Sequence, residues 1–244
     1  MTPTAWIPYC GAAPQPWELA GRWNLDPALL AALALGAGGL LLWRRVAAPR
    51  WLIIAALGLL IVAFVSPLCA LASGLFSART VHHLILISLA APLLAWALPA
   101  PGRPRLLVWT GASVLVFWLW HLPGAYAAAL SSDAVYWLMQ LSLLGAAVGF
   151  WLQVRAASAP AATLGLAGVM VQMGLPAAVL TFAPQALYAP HFTGPQAFGL
   201  TSLEDQQLAG LILWVLGAAP YLLAALARMY RALEGDGRRH PASA

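Results

Sequence analysis

Seven stretches of this chain, at 27–43, 51–76, 80–98, 106–123, 134–153, 161–182 and 206–227, contain no Asp, Glu, Lys or Arg. No other feature restricts the fold as much. An apolar run of about 20 residues can cross the hydrocarbon core of a bilayer as a helix, and there the backbone must satisfy its own polar groups. The pattern predicts an all-α fold: a polytopic membrane helical bundle of seven transmembrane helices. Shorter runs reach the interface through tryptophans or local thinning of the bilayer, and the longest, 51–76, contains Pro67, which predicts tilt or a kink. Composition agrees, since 8% of the residues are charged where a soluble domain carries about 25%.

Charge in the connections sets the orientation. Arg44, Arg45, Arg50, Arg103, Arg105, Arg155, Arg228, Arg231, Arg238 and Arg239 fall on one side, against Arg22 and Arg79 on the other. Cytoplasmic loops close to spans gather arginine, so the expected topology is N-out/C-in. The chain divides into an external interfacial segment at 1–26 with Trp6, Trp17 and Trp23, a seven-helix domain at 27–230 and a cytoplasmic tail at 231–244. No basic residue precedes Arg22, so the N-terminus does not read as a signal peptide. The longest connection, 183–205, is external. The net charge of +5 forms no basic face, which argues for membrane lipid and against nucleic acid as a partner. Two cysteines, Cys10 and Cys69, are too few for a disulfide scaffold and would pair only in an oxidising compartment.

Side chains able to bind a metal collect on the external side of this topology. His82 and His83 open the third helix, His121 closes the fourth, Cys69 lies late in the second, and His191 and Asp205 belong to the last external connection. Met139 and Cys10 are also on that side, and only His240 is cytoplasmic. Imidazole with sulfur ligands suits copper, the softer sulfur favouring Cu(I). The plainer reading is that interfacial histidines bond water, headgroups or backbone. Three local patterns add detail. Trp118-Leu119-Trp120-His121-Leu122-Pro123 followed by Tyr126 is an aromatic belt with a proline exit, which accounts for everything but His121. Residues 79 and 83 share a helix face. Ser202 and Asp205 read as the N-terminal cap of the seventh helix.

These motifs resemble the CtaG-type cytochrome c oxidase assembly proteins over roughly residues 20 to 233. The resemblance rests on His83 leading to Ala91-Pro92-Leu93-Leu94, Trp120-His121-Leu122-Pro123 with Tyr126, Phe150-Trp151, and Asp205-Gln206-Gln207-Leu208-Ala209-Gly210 followed by Trp214. It implies a multi-pass protein of the bacterial plasma membrane, acting in maturation of haem-copper oxidases, with cytochrome c oxidase subunits and a copper-donor protein as partners. It also implies functional roles for His83, His121 and Asp205. The sequence departs from the family pattern in having Arg79 where a histidine is expected four residues before His83, and Gln140 in place of a histidine in the fifth helix.

The expected function is a non-catalytic assembly factor assisting copper delivery or insertion at the external face. Candidate ligands are His83, His121, His82, Cys69 and Met139, with Asp205, Trp120, Tyr126 and His191 as further functional residues. No C-x-x-C, phosphate-binding glycine loop or Ser/His/Asp arrangement suggests an enzyme. Pro67, Pro92, Pro176 and Pro220 would suit the broken helices of a transporter, but the apolar runs lack the ionisable groups of ion relays. A haem-binding protein, with His83 and His121 as axial ligands, is the third alternative.

Overall fold

The computed structural model describes residues 6, 8–43, 49–103 and 105–239, the last five by their backbone alone. Arg44, Arg45 and His240, which entered the charge and ligand arguments, lie outside the described residues. Among those described, every regular element is helical: α1 (Pro27–Leu42), α2 (Arg50–Phe64), α3 (Pro67–Gly74), α4 (Phe76–Ala97), α5 (Leu106–His121), α6 (Pro123–Ala129), α7 (Asp133–Ala156), α8 (Ala159–Phe182) and α9 (Ser202–Arg239). Four of them, α4, α7, α8 and α9, are long and apolar enough to cross a membrane. Counting α2 with α3 and α5 with α6 as broken spans gives up to six. The seven-span expectation further needs α1, which at 16 residues is about 24 Å long.

Both breaks occur at proline. The Ser66 hydroxyl accepts the Leu68 N–H at 3.2 Å, and Pro67 occupies a first-turn position where no N–H is needed. Helices α2 and α3 therefore meet at 46°, the bend expected within 51–76. At Pro123 the bend is 80°, and the chain continues as α6 where the sequence suggested an exit from the bilayer. That extra turn carries Tyr126 into the core, 1% exposed.

Helix α4 is the most buried of the four long helices, and three side chains from other helices complete its backbone hydrogen bonding. At its first turn the Asp205 carboxylate accepts the N–H groups of Phe76 and Ser77 at 2.6 and 3.2 Å, and also the Ser77 hydroxyl. Asp205 thus caps α4, not its own helix as expected. The cap of α9 is Thr201, whose hydroxyl accepts the Glu204 N–H at 3.2 Å while the Glu204 carboxylate accepts the Thr201 N–H at 2.7 Å. At the other end of α4, Arg155 Nη1 donates to the carbonyls of Ala95, Trp96 and Leu98 at 2.8, 3.0 and 3.0 Å. Anion at the N-terminus and cation at the C-terminus both match the helix dipole.

The middle of α4 widens into a π-helical segment, Ile85–Ala90, and the Ala91 N–H bonds the Leu86 carbonyl five residues back. Continued by one residue, that register would pair residue 92 with the Ile87 carbonyl, but Pro92 has no N–H. The Trp151 indole supplies the missing donor, reaching the Ile87 carbonyl at 3.0 Å. In a bilayer no water could do so.

Close packing positions the Asp205 cap. A Cβ added to Gly210 would lie 2.3 Å from Thr181 Oγ1 and 2.8 Å from the Ala177 carbonyl, so α9 approaches α8 as only glycine permits. Gln206 then binds the chain leaving α8, accepting the Leu187 N–H at 2.6 Å and donating to the Leu180 carbonyl at 3.3 Å. Replacing Trp151 by Phe leaves the Ile87 carbonyl buried and unpaired, and Asp205→Ala does the same to two N–H groups. Each should lower resistance to unfolding by SDS in mixed micelles by about 1–3 kcal/mol. Exposed Trp17→Phe should change it by less than about 0.5 kcal/mol.

Candidate functional site

Helix α4 begins four residues before the apolar run that signalled it, because Ser77 and Arg79 are buried and capped rather than solvated. Arg79, His82 and His83 consequently share one face of its first turns, all within the bundle. They are 1%, 0% and 5% exposed, which decides that none is an interfacial residue bonding water or headgroups. Arg79 is no loop arginine, and Asp205 likewise lies within a spanning helix. The bundle therefore holds ionisable groups that the apolar runs by themselves did not reveal.

His83 and His121 face each other across α4 and α5, their ring centroids 6.4 Å apart, and His82 adjoins His83 at 5.8 Å. His121 Nδ1 lies 2.7 Å from the Phe117 carbonyl. A carbonyl can only accept, so Nδ1 carries the proton and Nε2 keeps its lone pair free. His83 Nε2 has no hydrogen-bond partner. Neither ring nitrogen of His82 has a partner at ordinary distance, although the Ala63 carbonyl is within electrostatic reach. His83 and His121, with His82 beside the first, form a nitrogen-rich cluster within the bundle.

Arg79 sits one turn above His83. Its Nε donates to the Ala72 carbonyl at 3.1 Å, and its guanidinium centre lies 5.4 Å from the centroid of the Tyr136 ring. The terminal nitrogens lie among the phenols of Tyr126 and Tyr136 without an ordinary hydrogen bond. Among the described residues no carboxylate is within 4 Å of it. A guanidinium cannot shed its proton, so the pocket has a fixed positive charge beside its imidazoles.

The other expected residues fall into place around this pair with different roles. Cys69 is joined to Cys10 in a disulfide, with Cα atoms 5.4 Å apart. Its sulfur is therefore not a thiolate ligand in this structure, which corrects the sequence expectation. The bond ties the N-terminal segment over the histidine end of the bundle, where Asn24 also donates to the Phe64 carbonyl at 3.1 Å. Met139 is fully buried. Trp120 is buried, and its indole donates to Ser142 Oγ at 2.9 Å, a packing contact between α5 and α7.

His191 has both nitrogens occupied. Nδ1 is 3.2 Å from the Gly74 carbonyl and Nε2 is 2.7 Å from the Tyr126 hydroxyl. The first must be a donor, so the second accepts from tyrosine. Burial pushes the His191 pKa down to about 3, so the ring stays neutral and serves as a strut between the 183–201 connection, α3 and α6. Tyr188, which sequence reasoning passed over, donates to the His121 carbonyl at 2.6 Å. Nothing in its local sequence distinguished it from an interfacial tyrosine.

Among the described residues no three His, Cys, Asp or Glu side chains come together as a metal centre. The arrangement is a two-histidine pair with His82 adjacent, and such a pair suits an ion content with two or three ligands, as Cu(I) is.

No curated protein and no solved structure matches this sequence. The family model described as cytochrome c oxidase caa3 assembly factor (Caa3_CtaG) matches residues 102–234, 133 of the 244 positions. The matched stretch contributes His121 to the pocket, Tyr126 and His191 to its cover, and Trp151, Arg155 and Asp205 to the support of α4. Because the match spans more than half of the sequence, the chain belongs to the cytochrome c oxidase caa3 assembly factor (CtaG) family.

Proposed function

We propose that this protein is a non-catalytic assembly factor that helps deliver or insert copper into cytochrome c oxidase at the external face of the bacterial plasma membrane. Family membership supports the oxidase as its client. The observation that carries the copper reading is the His83–His121 pair. Two imidazoles sharing one ion at metal–nitrogen distances of about 2 Å place their centroids roughly 6 Å apart, and here they are at 6.4 Å. Phe117 orients His121 through Nδ1, as outer-shell carbonyls orient metal-binding histidines. His82 adjoins His83 without joining the pair in a three-ligand group, and His82 and Met139 are retained as further candidates. Depth also favours transient handling of a monovalent ion, since Arg79 beside the pair opposes accumulation of further positive charge.

The same reading takes the bundle as seven spans, α1 included, with the histidine end outside and the arginine-rich end inside. It is supported by the charge asymmetry and by Arg155 and Arg228, which bind carbonyls at the ends of neighbouring helices on the arginine side. A reporter active only in the cytoplasm should work when fused after Gly102 and fail after Ser131. The reverse result would overturn the orientation.

Deletion of the gene should lower assembled, copper-loaded oxidase while its subunits are still made, with partial rescue by added copper. Normal oxidase activity under copper limitation, with no second assembly factor present, would remove the assignment. In purified protein, His83→Ala and His121→Ala should each weaken Cu(I) binding by well over about 100-fold, beyond the range for loss of an outer-shell partner, whereas His191→Ala should weaken it less than about tenfold. Arg79→His should strengthen it, by removing a fixed cation and adding an imidazole one turn from His83. Unchanged binding in both alanine variants would leave a scaffold role without the metal. An absorption spectrum without a haem band separates copper from the haem alternative.

A further inference from the structure

A cavity of about 550 Å³ runs between α1, α2 and α7 and is open along part of its length. It exists because α1 presents small residues there: Ala28, Ala32 and Gly36 follow one another at four-residue spacing, and the position a Cβ would take on Gly36 is empty to 4 Å. From residue 28 to residue 40 the helix rises about 18 Å. An apolar groove of that length suits an extended hydrocarbon chain, whose methylenes need no hydrogen-bond partner.

Polarity in the cavity is confined to its histidine end. There Asp26 accepts the Tyr9 hydroxyl and, at 2.9 Å, the Ala28 N–H. Asp26 is half-buried, and the tyrosine and backbone bonds hold its pKa below the ordinary value. Tyr9 stacks on Tyr136 and meets Trp137 edge-on. One helical turn deeper, Gln140 lines the wall, 1% exposed, with both its amide oxygen and its amide nitrogen unpartnered. An unpaired buried amide is costly where water is absent. From the outer end inward, the cavity thus offers an anionic carboxylate, an uncommitted amide and then only apolar wall.

We propose that this cavity is a binding site for an aminophospholipid. One acyl chain lies along the Ala28–Ala32–Gly36 stripe, the glycerol-ester carbonyl meets the Gln140 amide, and the primary ammonium of the headgroup pairs with Asp26. This site uses none of the residues of the copper reading and stands without it. It also accounts for Gln140 at the position where the family pattern led us to expect a histidine: the amide faces a lipid rather than a metal.

Mass spectrometry of the intact protein, released from detergent after incubation with equal amounts of phosphatidylethanolamine and phosphatidylglycerol of identical chains, tests the proposal. The wild type should retain more of the ethanolamine lipid by up to about fivefold, the scale of one exposed charge pair, although the net charge of +5 by itself favours the anionic lipid. Asp26→Asn, which keeps the helix cap, should abolish that preference. Gly36→Phe should remove most of both lipids by filling the cavity. Gly58→Phe, placed on α2 where a Cβ also meets nothing within 4 Å and outside the cavity lining, should behave as wild type and shows that a lipid-facing phenylalanine is tolerated. Wild-type retention by Gly36→Phe overturns the site. A wild type with no ethanolamine preference, or a preference that survives Asp26→Asn, overturns the headgroup assignment.

Discussion

Everything at the histidine end depends on how α4 satisfies its backbone. A helix in an apolar medium cannot borrow water for the N–H groups of its first turn, the carbonyls of its last, or a carbonyl stranded by proline. Helix α4 has all three needs, and meets them with Asp205 from α9, Arg155 from α7 and Trp151, also from α7. These are long-range contacts between elements that must be assembled before any of them forms. They fix the height and rotation of α4 within the bundle, and through them the direction in which its first turns point.

The pocket is a consequence of that placement. With Phe76 and Ser77 held by Asp205, the next turn turns Arg79, His82 and His83 inward, and the π-helical widening that follows absorbs the change in register before Pro92. Placing an arginine there carries a substantial desolvation cost with no carboxylate among the described residues to offset it, and the Ala72 carbonyl with the aromatic faces and phenols of Tyr126 and Tyr136 provides compensation. Such a cost is tolerated where it has a use. Beside the arginine stand His82, His83 and His121, with ring centroids 5.8 Å apart for the first two and 6.4 Å for the last two.

Cover over the pocket comes from segments that have no helical periodicity to advertise them. The N-terminal segment is fastened by the Cys10–Cys69 disulfide. The 183–201 connection is fastened by the His191 bonds to Tyr126 and Gly74, with Gly194 so close to Gly74 that a Cβ would lie 2.1 Å from its carbonyl oxygen. Residues singled out as functional candidates therefore also act as fasteners: Cys69 closes a covalent tie, His191 bridges the Tyr126 hydroxyl and the Gly74 carbonyl, and Trp120 packs against α7. A histidine or cysteine near the end of a span has the same sequence signature in either role.

What the sequence determined alone follows from short-range physics: runs without charge must be helical in a bilayer, proline at 67 must bend the chain, and arginine asymmetry separates the two ends. The placement of His83 and His121 near the same end of consecutive helices also followed, because one opens its helix and the other closes the next. Tertiary structure decided the rest. Asp205 has the local signature of a cap for its own helix, yet Thr201 and Glu204 fill that role and the carboxylate serves α4, 129 residues away. Arg79 looked like a loop residue because hydropathy records what a side chain prefers, not what surrounds it. Neither the pairing of the cysteines nor the donor for the Ile87 carbonyl can be read locally, since each depends on which helices pack together, and that is settled by the complementarity of whole helix faces.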